Sequence, residues 1–266
     1  MKQNRIYSYP EMEKKLLKWK SLHSSDGFHV GSLGLTYGKR HIYVCHIGAE
    51  DAKYQFVVTA SIHGREYINT TLLLHMIAYY RRHPWKNIRV SFIPMANPDG
   101  VTISMNTDAR KWKENGNGID LNRNFPCGFG LSPDLKKRNP GGSPADQLET
   151  QYLMEFIDSL SAPLGVIHYH SRGNVIFYDY NVTGSLKNQI IQLAESAHKT
   201  TGYKLVHGSK DTKPAGGFGD WCVYEKKIPS ITIETGFLKT PVPRWQLNGI
   251  CDKNLFLLRD LFARIL

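Results

Sequence analysis

Apolar and polar residues alternate along this chain in two different periods, and their order predicts its architecture. From Tyr9 to Lys20, Met12, Leu16, Leu17 and Trp19 stand among lysines at helical spacing, which predicts a short amphipathic helix packed on the domain. Phe28 to Thr36 and His41 to Ile47 read as strands, broken at Tyr37-Gly38-Lys39-Arg40 as in a hairpin. Gln55 to Ile62 is expected to be a buried strand. Asn69 to Arg82 is expected to be a helix with Leu72, Leu73, Met76, Ile77 and Tyr80 on its apolar side. The same alternation continues with a strand at Ile88 to Met95, a helix at Pro144 to Ser159, a strand at Leu164 to His170 and a helix at Leu186 to Thr201. A strand at Ile228 to Glu234 and one final helix from Asn248 to Ile265 complete it. Strands alternating with helices argue an α/β fold, its sheet largely parallel or mixed between helical layers.

Loops rich in Gly, Pro and Lys are expected at residues 126 to 143 and 207 to 219, and loops of that length in a compact domain are often functional. The sequence shows neither internal repeats nor low-complexity segments. With candidate site residues spread from position 63 to 234, residues 1 to 266 are read as one catalytic domain.

Polar residues fall at the ends of the expected strands. His63 follows one, the Asn97-Pro98-Asp99-Gly100 turn a second, His170 closes a third and Glu234 a fourth. Open α/β sheets bind ligands at the carboxyl ends of their strands, so these ends are expected to meet at one edge.

His63 and Glu66 are spaced to place a nitrogen and a carboxylate oxygen on one side of a turn. With a further strand-end histidine they make a His2Glu set that leaves a fourth position open, as catalytic zinc requires. His168 and His170 both offer that histidine, since side chains two apart on a strand share a face. His170 is preferred because it lies nearer the strand end, ahead of Ser171-Arg172-Gly173; His168 then sits within the strand or behind the ligands. Glu234, closing Ile231-Thr232-Ile233, loses solvation there, which raises its pKa toward that of a general base. Asp120 could orient a ligating imidazole. Lys113 and Arg65 suit a developing oxyanion or substrate carbonyls, and Asn122 with Arg123 could grip a carboxylate.

The net charge of +11 raises the question of nucleic acid, yet Lys and Arg are dispersed, with none between His41 and Ala52. A solvated basic surface that attracts anionic polymers or peptide carboxylates is expected instead. Hydrophobic content of 41% and charged content of 21% are ordinary for a globular chain. Cys45, Cys127, Cys222 and Cys251 form no CxxC pair and are expected to be reduced thiols. No apolar stretch resembles a signal peptide or a membrane span, so a soluble, cytoplasmic protein is expected.

Together, H-x-R-E, N-P-D-G, D-L-N-R-N-F-P, the strand-end H-S and I-x-I-E-x-G resemble the zinc carboxypeptidase superfamily typified by carboxypeptidase A, over about Gln55 to Gly236. The resemblance implies a mixed eight-stranded sheet between helices and one Zn2+ per chain held by His63, Glu66 and His170. It also implies Glu234 as the base that becomes the acid for the leaving amine, Asp120 behind His63, and Asn122 with Arg123 at a substrate carboxylate. Trp112-Lys113 departs from the Trp-Arg of digestive carboxypeptidases. Gly219 falls at their specificity-pocket position before Asp220-Trp221, implying a roomy pocket, and their capping Tyr falls near Thr212. The fragments Trp112-Lys113-x-Asn115-x-x-Gly118-Ile119-Asp120-Leu121-Asn122, Tyr169-His170-Ser171-x-Gly173-x-Val175-Ile176 and Gly219-Asp220-Trp221 are similar to the bacterial branch that cleaves the γ-D-glutamyl-diaminopimelate bond. A murein peptide substrate is expected on that basis, whereas Arg123 keeps the cation of the carboxypeptidases.

Overall fold

A computed structural model describes residues 5–22, 27–106, 108, 110–133, 135–178, 180–207 and 213–266. Helix α1 (Tyr9–Leu22) precedes the hairpin β1 (Phe28–Leu35) and β2 (His41–Ile47), after which come β3 (Tyr54–Ala60), α2 (Ile68–Tyr80), β4 (Ile88–Ile93) and α3 (Pro98–Asn106). Then follow α4 (Leu148–Asp158), β5 (Pro163–His170), β6 (Val175–Phe177), α5 (Gly184–Thr201) and β7 (Lys204–Val206). The chain ends with α6 (Phe218–Asp220), continued by a π-helical turn Trp221–Glu225, then β8 (Ser230–Glu234), α7 (Leu247–Asn254) and α8 (Leu257–Ile265).

The strands form one mixed eight-stranded sheet, as the family resemblance implies, in the order β1-β2-β4-β3-β5-β8-β6-β7. Its centre, β4-β3-β5-β8, is parallel, and the hairpin and the β6–β8 pair supply the antiparallel joins. Alternate side chains of the central strands feed two separate cores. Phe56, Val58, Ile167, Tyr169, Ile231 and Ile233 join the core that holds α1, α2, α5, α7 and α8. Val57 and Val166 point the other way, into a smaller core with Leu153 and Ile157 of α4 and Phe218 of α6. Covered on both faces, these strands read as nearly continuous apolar runs. His168 and His170 share the face of Val166, so both histidines look toward the smaller core rather than the larger.

Four local readings need correction. The Asn97-Pro98-Asp99-Gly100 turn is the start of α3: the Asn97 Oδ1 accepts from the Gly100 N–H at 2.8 Å, and proline occupies the first helical position, where its missing N–H costs nothing. The final helix is two. Asn254 bonds the hydroxyls of Tyr169 (3.1 Å) and Tyr203 (3.2 Å), anchoring the end of α7 at the buried sheet, and α8 restarts at Leu257. Leu17 is 46% exposed, and the apolar stripe of α1 is Tyr9, Met12, Leu16 and Trp19 instead. Helix α4 begins at Leu148, several residues after Pro144. The short strands β6 and β7, and the helical segment after Gly217, carry too few periodic positions to be read from the sequence.

All four cysteines are free and buried. Among the described residues no helix is long and apolar enough to cross a membrane.

Candidate metal centre

The turn after β3 delivers the first two donors. Ser61 adopts a left-handed backbone (φ 56°), held by its Oγ against Thr70 Oγ1 at 2.9 Å, and His63 then leads into the 3-10 turn Gly64–Glu66. In such a turn side chains three apart eclipse, which sets His63 Nδ1 2.9 Å from Glu66 Oε1. Gly64 is required there: an added Cβ would lie 2.4 Å from the Gly100 carbonyl oxygen at the start of α3. The third donor comes from the end of β5, where His170 Nδ1 lies 2.9 Å from Glu66 Oε2 and 3.2 Å from His63 Nδ1. His63, Glu66 and His170 thus form a buried cluster able to hold one metal ion. The spacing fits zinc: bonds of about 2.0–2.1 Å in a tetrahedron place neighbouring donors roughly 3.3 Å apart. Two imidazole nitrogens facing each other across one carboxylate are otherwise hard to reconcile with burial.

His168 stands outside this set. Its Nε2 bonds Thr232 Oγ1 at 2.8 Å across the β5–β8 pair, and burial first, then the neighbouring His170 and His63, holds its pKa well below the usual imidazole value. His170 is likewise lowered by burial, against the pull of Glu66, and so favours the neutral ligating form. Burial alone would raise the Glu66 carboxyl, but the two facing imidazoles outweigh it and hold it below the carboxylate range.

Behind the donors, the fully buried Asp120 acts as a hub. Its Oδ1 lies 3.2 Å from His63 Nε2 and accepts from the Asn122 N–H at 3.1 Å, while its Oδ2 accepts from Lys113 Nζ and lies 3.9 Å from the Arg138 guanidinium. The imidazole and the lysine overcome the cost of burial and keep Asp120 ionised. The Lys113 ammonium is pushed down by burial, with Asp120 opposing and the Arg138 and Arg123 charges adding to the fall. Lys113 is thus paired with Asp120.

Glu234 is the register partner of His170 across β5 and β8, so the two side chains stand side by side on one face. Its Oε2 is buried with no hydrogen-bond partner among the described residues. In the metal-free protein burial first, then the Glu66 charge, pushes its carboxyl up to about 9, against Lys113, Arg172 and Arg65, and a cation held at Glu66 would bring it back down. A folded state that holds this proton is favoured fully below the ordinary value of 4.5, and the advantage is lost as pH rises toward 9. In metal-free protein, the melting temperature of the wild type should therefore fall relative to that of Glu234→Gln between pH 5 and 9. Parallel pH profiles for the two proteins would exclude it.

The remaining expected residues are less concentrated. Arg65 donates to the Lys111 carbonyl at 3.3 Å. Asn122 accepts the Phe218 N–H at 2.9 Å, and Arg123 donates to the Asn122 carbonyl at 2.6 Å and to Ser132 Oγ at 3.2 Å. Gly219 opens no roomy pocket by lacking a side chain. An added Cβ would meet His168 Nε2 and Tyr180 Oη, each at 2.6 Å, so the glycine lets α6 pack tightly on β5. The capping position near Thr212 lies outside the described residues.

Two supports were missed in the sequence. Asn69, buried in the first turn of α2, donates to the His170 carbonyl (2.8 Å) and to Ser171 Oγ (3.0 Å), and accepts from Thr235 Oγ1 (2.6 Å), pinning the ends of β5 and β8 together. A polar residue amid the apolar face of α2 was its only signal. Arg138, from the long loop after Pro126, had none beyond that loop's length.

A family model for zinc carboxypeptidases matches residues 15–256, and the chain belongs to that family. It is 24% identical over 235 residues to a gamma-D-glutamyl-L-diamino acid endopeptidase 1 of Lysinibacillus sphaericus, covering 74% of this chain and 58% of the relative. In fold it is similar to a carboxypeptidase A from Helicoverpa armigera (TM-score 0.86, 20% identity, 99% of this chain and 74% of that one). It is also similar to a murein-tripeptide amidase, MpaA, from Escherichia coli O157 (TM-score 0.62, 20% identity, 90% and 93%). The family is one of zinc peptidases, and the chain, which spans between half and three quarters of the first curated relatives it matches, keeps a donor triad able to hold the metal.

Proposed function

We propose that this peptidase hydrolyses the amide between γ-D-glutamate and a diamino acid such as diaminopimelate in murein peptides, with residues 1 to 266 acting as one catalytic domain. The observation that carries this reading is the loop from Trp112 to Asn122. Asn115 Oδ1 accepts from the Asn117 and Ile119 N–H groups (3.0 and 3.1 Å), folding the loop so that Lys113, where digestive carboxypeptidases carry arginine, meets Asp120 behind His63. The name of the L. sphaericus relative supports this choice of bond, and that of the E. coli protein supports a murein peptide as substrate. So does a net charge of +11, which suits a peptide bearing several carboxylates and needs no nucleic-acid partner.

A bound zinc ion supplies Lewis acidity and lowers the pKa of a coordinated water. The rest falls to the chain. Glu234 accepts a proton beside His170 and returns it to the leaving amine, and Asp120 fixes the tautomer and orientation of His63 through its Nε2. Lys113 and Arg65 offset charge that develops on the scissile carbonyl, and Asn122 with Arg123 holds a carboxylate of the diamino acid.

Arg123 also supports a second reading, a general L-amino-acid carboxypeptidase, to which the fold likeness to the insect enzyme adds weight. Comparing kcat/KM on L-Ala-γ-D-Glu-diaminopimelate with that on a blocked dipeptide ending in L-Phe decides between them. The tripeptide is expected to be the better substrate. A better dipeptide replaces the murein assignment with the general one.

A further inference from the structure

We propose that the open cavity of about 520 Å³ lined by Trp112, Glu114, Gly118, Lys136, Lys137 and Arg138 is a subsite for a free carboxylate of the substrate: the α-carboxylate that a γ-linked glutamyl residue carries beside its scissile amide. This rests on the γ-glutamyl reading above.

Position is the first ground. Arg138 NH1 lies 3.9 Å from Asp120 Oδ2, and Asp120 Oδ1 lies 3.2 Å from the metal donor His63, so the cavity wall and the metal centre share one carboxylate. Charge is the second. Among the described residues that line the cavity, three cations face one acid, Glu114, whose Oε2 accepts the Lys113 N–H at 3.0 Å. The Arg138 side chain is 30% exposed, so a contact made there is partly shielded from water. A guanidinium presents parallel N–H groups that match a carboxylate, and lysines add charge without that directional demand. Trp112 supplies an apolar wall, its indole fixed by donation to the Asn115 carbonyl at 3.2 Å.

Substrate chemistry is the third ground. Every γ-linked glutamate offers an anion a few bonds from the scissile carbonyl, whereas an α-linked peptide does so only where an acidic side chain stands at that position. A cationic cavity whose Arg138 shares Asp120 with His63 favours a glutamyl residue on the acyl side over a neutral one, a task separate from gripping the leaving diamino acid at Arg123. Arg138 is thereby a specificity residue on the acyl side of the bond.

The test compares L-Ala-γ-D-Glu-diaminopimelate with its analogue in which the glutamyl α-carboxylate is a carboxamide, measuring kcat/KM and, by calorimetry on Glu234→Gln protein, Kd. The wild type should prefer the carboxylate by about ten-fold or more, the scale of one hydrogen bond to a charged group. Arg138→Gln should bring the ratio within about two-fold by weakening only the carboxylate form, and Arg138→Lys should restore part of it. Lys136→Gln with Lys137→Gln, at exposed positions that leave Asp120 untouched, should reduce the preference without loss of zinc or melting temperature. Equal handling of the two peptides by the wild type, or an undiminished preference in Arg138→Gln, overturns the subsite. If neither peptide is hydrolysed the γ-glutamyl reading of the enzyme falls, while the ratio of Kd values still decides whether the cavity takes a carboxylate.

Discussion

His170→Ala should lose its stoichiometric zinc and, with it, more than about 10³-fold of its peptidase activity, whereas His168→Ala should keep the metal. The two histidines lie two residues apart on one face of β5, so a general effect on the strand would strike both. They differ in what they meet. His170 Nδ1 is within 2.9 Å of Glu66 Oε2 and 3.2 Å of His63 Nδ1, and removing it leaves a two-donor set. His168 instead bonds Thr232 Oγ1 and packs its ring against that of His170 with centroids 5.3 Å apart, so its loss disturbs packing behind the donor and spares the donor itself. Metal analysis of the purified variants reads the difference directly. Zinc retained by His170→Ala and lost from His168→Ala would reverse the assignment.

Glu234→Gln should lower kcat by at least about 10²-fold while the metal stays bound, the scale of a positioned acid-base group. Glutamine keeps the size of the side chain and one acceptor oxygen but cannot take up a proton at neutral pH. The position argues for proton transfer rather than for metal binding: Glu234 adjoins His170 in register yet stands apart from the three-donor cluster, with a carboxylate oxygen left without a protein partner. A variant with full metal content and unchanged turnover would remove Glu234 from the chemistry.

Much of this was legible in the linear chain because it depends on local spacing. The three-residue step from His63 to Glu66 needs only one turn, and the apolar runs that end at Ala60, His170 and Glu234 mark strands whose carboxyl ends must lie together once the strands run parallel. Two readings failed because a distant contact had overridden the local signal. The helix expected to run on to Ile265 breaks after Asn254, which is committed to the hydroxyls of Tyr169 and Tyr203. Gly219 suggested space, but space is set by what the rest of the fold places there, and the His168 ring and the Tyr180 hydroxyl fill it.

The sequence alone therefore determined six of the eight strands, the family resemblance and the donor triad, since periodicity and short motifs act over distances that the chain itself spans. Only the tertiary structure decided what surrounds those donors. Asp120, expected behind His63, also gathers Lys113 and Arg138 around its carboxylate, and Asn69 ties the ends of β5 and β8, through contacts between residues up to 166 positions apart. No spacing rule encodes such contacts, because burial of a charge or an amide is satisfied by whichever partner the packed strands and helices bring within hydrogen-bond reach.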